Sequence, residues 1–320
     1  MSWIAPQTLN QRGILGMNRR NIEFISGYND RRQFPLVDNK LTTKLLAEEE
    51  GLAVPRLLGV VDTQHAIQQI DGKLRGLEDF VAKPAQGSGG KGILVIKGRI
   101  GEQFVKSGGD TLSLGDVQRH LTNIISGLHS LGGRTDIAFL EERVQTDAMF
   151  ESLSRGGVPD VRLIVFCGFP VMGMLRLATS ASDGKANLHQ GAIGVGLNLA
   201  DGRAIRAVSA EQLIETHPDT GADLSQVQIP DWANLMHLAA RCSEVTGLGY
   251  LGCDIVIDRN KGPLILELNA RPGLSIQIAN NHGLLPRLRH IQRRLAKDKK
   301  VQRMAIHERV DYAMTTLSGV

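Results

Sequence analysis

The stretch that most constrains this chain lies near its C-terminal end. Residues 253–258 and 264–269 are apolar, β-favouring runs separated by Arg259-Asn-Lys-Gly262. That pattern predicts a β-hairpin with a four-residue loop. With residue 258 facing 263, Asp254 stands opposite Glu267. Side chains alternate at period two, so Glu267 and Asn269 share a face, and directly opposed residues share it too. Asp254, Glu267 and Asn269 then converge on one small volume. Two carboxylates and an amide oxygen are hard donors suited to Mg²⁺ or Mn²⁺, and Mg²⁺ completes its shell with water and substrate phosphates. A solvated polar face is the plainer reading. It is disfavoured because Leu266, Leu268, Ile255 and Ile257 already supply a face to bury.

A second motif is Lys83-Pro-Ala-Gln-Gly-Ser-Gly-Gly-Lys-Gly92. It contains G-x-G-x-x-G at Gly87, Gly89 and Gly92, but a dinucleotide fingerprint needs a helix next, and residues 93–97 are strand-forming. It is not a P-loop either, since Lys91 precedes a glycine where Ser or Thr belongs. What remains is a hairpin loop. Backbone N–H groups at Gly87, Ser88, Gly89 and Gly90 can approach phosphate oxygens closely, and Lys83 at the strand end supplies a point charge. Standing alone, such a loop could equally be a surface turn.

Around these motifs the pattern is mixed. Helices are predicted over 40–50, with Leu41, Leu45 and Leu46 on one side, and after the capping box Ser113-Leu-Gly-Asp116, with Leu121, Ile124, Ile125, Leu128 and Leu131 on one face. A third carries Trp232, Leu235, Met236, Ala239 and Ala240. Strands are predicted over 57–61, 80–84, 92–97, 137–144, 161–167 and 171–177. Hairpin-paired strands with a few helices argue for an α+β fold and against a parallel sheet.

Composition excludes several classes. Hydrophobic residues make up 42% of the 320, enough for sizeable cores, so pervasive disorder is excluded. No apolar run reaches the ~18 residues of a membrane span. Residues 1–10 lack a secretory pattern. Cys167, Cys242 and Cys253 fit neither a disulfide framework nor a CxxC site, so a cytoplasmic location is expected. Charge is uneven. Arg287, Arg289, Arg293, Arg294, Lys297, Lys299, Lys300 and Arg303 face Asp298 alone, a net +7 that leaves the rest of the chain at −3 of a total of +4. Such a tail suits a solvated helix, or an acidic lipid, protein or nucleic acid. Nucleic acid is disfavoured because no aromatic interleaves the charges.

Together these motifs resemble the ATP-grasp superfamily of carboxylate–amine ligases, and within it the α-L-glutamate ligase-like group. The likeness runs from about residue 38 to 286. The resemblance implies an ATP-grasp fold of two α+β subdomains clamping ATP, with a short N-terminal extension in place of a full preceding domain. The implied divisions are an extension over 1–37, a small subdomain over 38–140, a large subdomain over 141–290 and a basic C-terminal helix over 291–320. Lys40 and the Lys83 loop resemble the nucleotide-facing elements. Phe139-Leu-Glu-Glu-Arg-Val144 resembles the hinge, with Glu142 and Arg143 bordering adenine. Asp160-Val-Arg162 resembles a "D-x-R" element near the nucleotide. Arg176 and Asn187-Leu-His-Gln-Gly191 resemble the strand and loop at the reacting centre, and the resemblance implies that Lys185 and Asn187 bind the nucleotide. Asp254 with Glu267-Leu-Asn-Ala-Arg-Pro-Gly273 resembles the metal motif. The implied cofactors are ATP and Mg²⁺ (or Mn²⁺). The implied activity joins a small-molecule or peptide carboxylate to an amine, glutamate foremost, through an acyl phosphate. Arg271, Arg162 and Arg176 would serve as oxyanion donors, and His189 would orient substrate or relay a proton. A partner protein could replace the short N-terminal domain. The competing readings are a non-catalytic ATP-binding module, and a nucleic-acid- or membrane-associated protein acting through its basic tail.

Overall fold

A computed structural model describes residues 6–320 other than 88, 155, 183 and 211. The signal-sequence expectation for residues 1–10 thus falls partly outside the described residues, and the phosphate-nest expectation for Ser88 wholly so.

Two antiparallel sheets organise the chain. The smaller comprises β1 (Leu57–Val61), β2 (Phe80–Pro84), β3 (Leu94–Ile100), β4 (Gln103–Lys106), β5 (Thr111–Leu112) and β6 (Ala138–Glu141), in the order β1-β6-β2-β3-β4-β5. Helix α1 (Lys40–Glu49) precedes it. Helix α2 (Leu114–Ile125) packs against it, placing Val117, Leu121 and Ile124 among Phe80, Ile96 and Phe104. The capping box predicted at Ser113 forms: Asp116 N–H donates to Ser113 Oγ, and Ser113 N–H to Asp116 Oδ2.

The larger sheet comprises β7 (Asp160–Phe166), β8 (Phe169–Leu177), β9 (Ile193–Leu197), β10 (Ala204–Ser209), β11 (Gln212–Ile214), β12 (Tyr250–Asp258) and β13 (Gly262–Asn269), in the order β11-β10-β9-β8-β7-β12-β13. One face is covered by α3 (Trp232–Thr246), which buries Trp232, Leu235, Met236, Ala239 and Ala240 as its stripe requires. Trp232 Nε1 donates to Leu199 O at 2.8 Å. The opposite face meets α4 (Ile276–Asn280) so closely that a Cβ on Gly196 would stand 2.3 Å from Ala279 O. The rest of that opposite face carries the polar residues described below.

Several expectations need correction. On α1, Leu45 is 49% exposed, and the buried positions are Leu41, Thr43, Lys44 and Ala47. Helix α2 stops at Ile125, two residues before Gly127 at φ +87°, so Leu128 lies beyond it and is 67% exposed. The basic segment is three helices, α5 (Leu285–Lys297), α6 (Lys299–Gln302) and α7 (Ile306–Thr315), because Asp298 breaks the run and caps α6. Ile291, Val301, Val310 and Ala313 belong to the large-sheet core, as do Leu15, Phe24, Ile25 and Val37 from the N-terminal segment. Asn29 ties that segment down, accepting from Tyr250 N–H at 2.7 Å and donating to Tyr250 O at 2.8 Å.

The decisive hairpin starts one register away from the expected one. Asp258 faces Gly262 and Ile257 faces Pro263, but a bulge at Leu266 restores the pairing, so Asp254 faces Glu267 and Gly252 faces Asn269. The bulge has a structural use. In a regular strand Ile265 and Glu267 would share a face. Here Ile265 pairs with Ile255 in the core while Glu267 pairs with Asp254.

Candidate functional site

Cross-strand pairing assembles the floor of the site. Arg176 on β8 faces Asp160 on β7, Arg162 on β7 faces Asp254 on β12, and Asp254 faces Glu267 on β13. Opposed residues and residues two apart share a face, so all five lie in one row. Arg162 grips Asp254 bidentately, Nε to Oδ1 at 2.7 Å and Nη2 to Oδ2 at 2.6 Å. Arg176 donates from Nη2 to Asp254 Oδ2 at 2.7 Å and from Nε to Asp160 Oδ1 at 2.6 Å. Both aspartates are buried.

This sharing splits the two acids. Burial raises both carboxyls, but Asp254 holds two guanidiniums, whose attraction outweighs burial and brings it down to about 2. Asp160 has Arg176 alone; burial, with repulsion from Asp254, pushes it up to about 6. Arg176 loses something to burial and gains more from the two carboxylates, so its proton is held more tightly than in water.

Glu267, at the row's far end, is half-buried. Its Oε1 accepts from Lys40 Nζ at 2.9 Å, and the same ammonium donates to Gly87 O at 2.8 Å. Lys40 therefore joins the Gly-rich loop to the hairpin. Asn269 Oδ1 accepts from Arg271 N–H at 2.8 Å. The Arg271 guanidinium is half-exposed, paired with Asp38 at 3.0 Å and lying over Phe34 at 4.8 Å. That places it at the margin of the row and not in it.

Beside the floor is a narrow cleft between the two sheets, lined by Lys40, Lys44, Lys83, Phe139, Glu141 and residues 265–268. Glu141 is buried and pairs with Lys83 and, at 2.9 Å, with Lys44. Burial would raise its carboxyl, but the two ammonium groups hold it below the usual range. Burial lowers Lys44, with Glu141 offsetting part of the loss. Sequence reasoning named Lys40 and Lys83 but not Glu141 and Lys44, and set Glu142 and Arg143 beside adenine. Glu142 pairs with Lys261 and Arg143 with Asp79 at 2.9 Å, and neither is among the residues lining this cleft. Two signals were available. Lys44 follows Lys40 by one helical turn, and alternation along 138–141 separates the two glutamates.

Two loops lie over the same region. The base of the Gly-rich loop is fixed by Asp136, which accepts from Gln86 N–H at 3.1 Å and Ser130 Oγ at 2.6 Å. Its far end needs glycine: Gly92 sits at φ +76°, and a Cβ there would stand 2.6 Å from the His129 ring. At its tip, a Cβ on Gly90 would come 3.8 Å from Lys185 Cγ. The opposing loop, 185–191, packs Leu188 against Gly194, the residue facing Arg176. Asn187 Oδ1 accepts from His189 N–H at 3.1 Å, and His189 is exposed on this turn. Gly90 thus approaches Lys185 across the gap between the loops, and Gly87 meets Lys40 at the Glu267 end of the row.

The donor set agrees in kind with a hard divalent cation: Asp254, Glu267 and Asn269 offer oxygen only, and the first two oppose each other directly. Among the described residues no group of three or more His, Cys, Asp and Glu side chains surrounds one point. A cation here would therefore draw on two carboxylates, one amide and ligands from water or substrate, the mixture Mg²⁺ favours. No described helix is long and apolar enough to cross a membrane.

Residues 19–293 match the sequence pattern of a family described as sugar-transfer associated ATP-grasp. That match lies within the superfamily the motifs resemble; the narrower likeness to glutamate ligases rests on the motifs alone. No curated protein matches the chain. Among solved structures, D-cycloserine synthetase DcsG shares 16% identity over 82% of this chain and 71% of its own, with a TM-score of 0.46. The ATP-grasp ligase PsnB complexed with minimal precursor, Mg and ADP shares 16% over 84% and 62%, with a TM-score of 0.43. A Chryseobacterium gregarium RiPP-associated ATP-grasp ligase, in complex with ADP and a leader and core peptide, shares 12% over 84% and 62%, also with a TM-score of 0.43. The chain spans less than two thirds of the length of PsnB.

Proposed function

The chain belongs to the sugar-transfer associated ATP-grasp family, and on that premise we propose that it is an ATP-dependent carboxylate–amine ligase that forms an amide bond and releases ADP and phosphate. The observation that carries this reading is the row Arg176–Asp160, Arg162–Asp254 and Glu267 on one sheet face, tied through Lys40 to a Gly-rich loop.

Bound ATP with Mg²⁺ would supply the activation of a carboxylate as an acyl phosphate. Asp254, Glu267 and Asn269 would hold the cation. Lys44 and Lys83, at the cleft beside Glu141, would hold phosphate oxygens, joined by loop N–H groups and by Lys185 from across the gap. Arg162 and Arg176 spend Nε and Nη2 on Asp254 and Asp160, leaving Nη1 of each for oxygen at the reacting carbon. Their positions are fixed before substrate arrives, so little reorganisation is needed as oxyanion charge develops. His189, exposed on the opposing loop, would meet the incoming amine. The activated partner is a small or peptide carboxylate, and the motif likeness favours an amino acid, glutamate foremost, as the amine.

The test is ADP release with ATP, Mg²⁺ and pooled amino acids, for wild type and Glu267→Gln. Wild type should turn over with at least one amine. Glu267→Gln should lose turnover by orders of magnitude at an unchanged melting temperature, because Glu267 is half-exposed. Near-normal turnover in the variant would remove the cation site. Tight ATP binding without ADP release under any condition would make the protein a nucleotide-binding module.

A further inference from the structure

The basic segment plays no part in that chemistry, yet the structure gives it a definite setting. Residues 13–28 run beside α5: Leu285 N–H donates to Gly13 O at 3.0 Å, Glu23 pairs with Arg289, and Gln292 Nε2 donates to Tyr28 Oη at 3.0 Å. These contacts join the two segments along residues 285–292. On the first, Met17 is 63% and Ile22 70% exposed. On the second, Arg293, Lys297, Lys299, Lys300 and Arg303 are exposed, and none makes an ion pair among the described residues. Four of the nearby acids are engaged elsewhere, and Asp311 on α7 is exposed. Glu23 pairs with Arg19 and Arg289, Asp298 caps α6, Glu308 caps α7, and Glu244 meets Arg309. Between α5, α6 and the β7–β8 turn lies an open cleft of about 470 Å³, with Leu295, Ala296 and Val301 among its walls and Arg309 at its side. The other basic residues are used internally: Arg287 is buried on Val171 O, and Arg294 lies 4.0 Å over the Tyr312 ring.

We propose that this face docks the protein on an anionic phospholipid bilayer. Uncompensated lysine and arginine beside exposed aliphatic side chains is the composition that combines attraction to anionic headgroups with shallow insertion at the interface. The adjoining cleft, with Leu295, Ala296 and Val301 beside Gln292, Gln302 and Arg309, is open to the surface. Nucleic acid would use the charge but leave Met17 and Ile22 without a role, and no aromatic stands among Arg293, Lys297, Lys299, Lys300 and Arg303 for base stacking.

Vesicle co-sedimentation of the full chain tests this, using phosphatidylcholine with and without phosphatidylserine at low and high salt. Binding should require phosphatidylserine and fall with salt. At about fivefold per basic residue near an anionic surface, Lys297→Gln/Lys299→Gln/Lys300→Gln should weaken it about a hundredfold. Met17→Ser/Ile22→Ser should weaken it at high salt, where the apolar contribution dominates. All five positions are exposed, so unchanged melting temperatures should accompany both variants. Sedimentation independent of phosphatidylserine would overturn the proposal, as would wild-type binding by the triple-lysine variant. So would release from vesicles by duplex DNA at matched charge, with no effect of the Met17/Ile22 pair, which would assign the face to nucleic acid.

Discussion

Asp160 and Asp254 compete for one guanidinium. With Asp254 the better served, Asp160 becomes the acid that holds its proton, lifted from its ordinary 3.8 to about 6. A folded-state acid that keeps its proton above the unfolded value stabilises the fold fully below pH ~4 and loses that contribution as pH rises through ~6. Asp254, held at about 2, contributes in the opposite sense, present above the unfolded value and lost only as pH falls through about 2. Between pH ~4 and ~7 the wild type should therefore lose up to about 3 kcal/mol that Asp160→Asn does not lose. Urea unfolding of the two proteins at several pH values measures this. Parallel pH profiles would mean that Asp160 is ionised throughout.

The elements differ in how openly the chain announces them. Local chemistry was legible: the Ser113–Asp116 capping box, the Trp232 stripe, the β7–β8 hairpin and the antiparallel arrangement all follow from period and turn residues. Asp254 opposite Glu267 was legible as well, though only because a bulge cancels the offset at the turn, and a bulge leaves no mark on a two-fold pattern. Long-range choices were hidden. Alternation sets Glu141 and Glu142 on opposite faces, but only tertiary packing decides that Glu141 turns into the cleft beside Lys83 and Lys44 while Glu142 turns out to Lys261. Nor could alternation show that Arg271 would go to Asp38. The cap offers a simple check at this scale. Ser113→Ala should cost about 1 kcal/mol, read as a lowered midpoint in denaturant with unchanged slope. No loss would mean that the Asp116 half of the box suffices.

Across the molecule, a three-residue stretch couples the two halves of the site. Asp38 pairs with Arg271 after the hairpin, and Lys40 spans Glu267 and Gly87 O. Lys40→Ala should release the Gly-rich loop from β13. Amide hydrogen exchange over residues 86–92 should then accelerate severalfold, while exchange in the β7–β8 core stays as it is. Unchanged exchange in the loop would show that Asp136 alone holds it. The seating of residues 13–28 against α5 and Tyr250 has a further consequence for biogenesis. Glu23 meets Arg289, which emerges from the ribosome 266 residues later. At about 5–20 residues per second that is a wait of roughly 13 to 53 s. Phe24 lacks its partners Phe166 and Tyr250 for most of that interval, whereas residues 57–141 can assemble their sheet while translation continues. The nascent chain is thus exposed to premature association at residues 13–28, and chaperone capture there would protect the slower half.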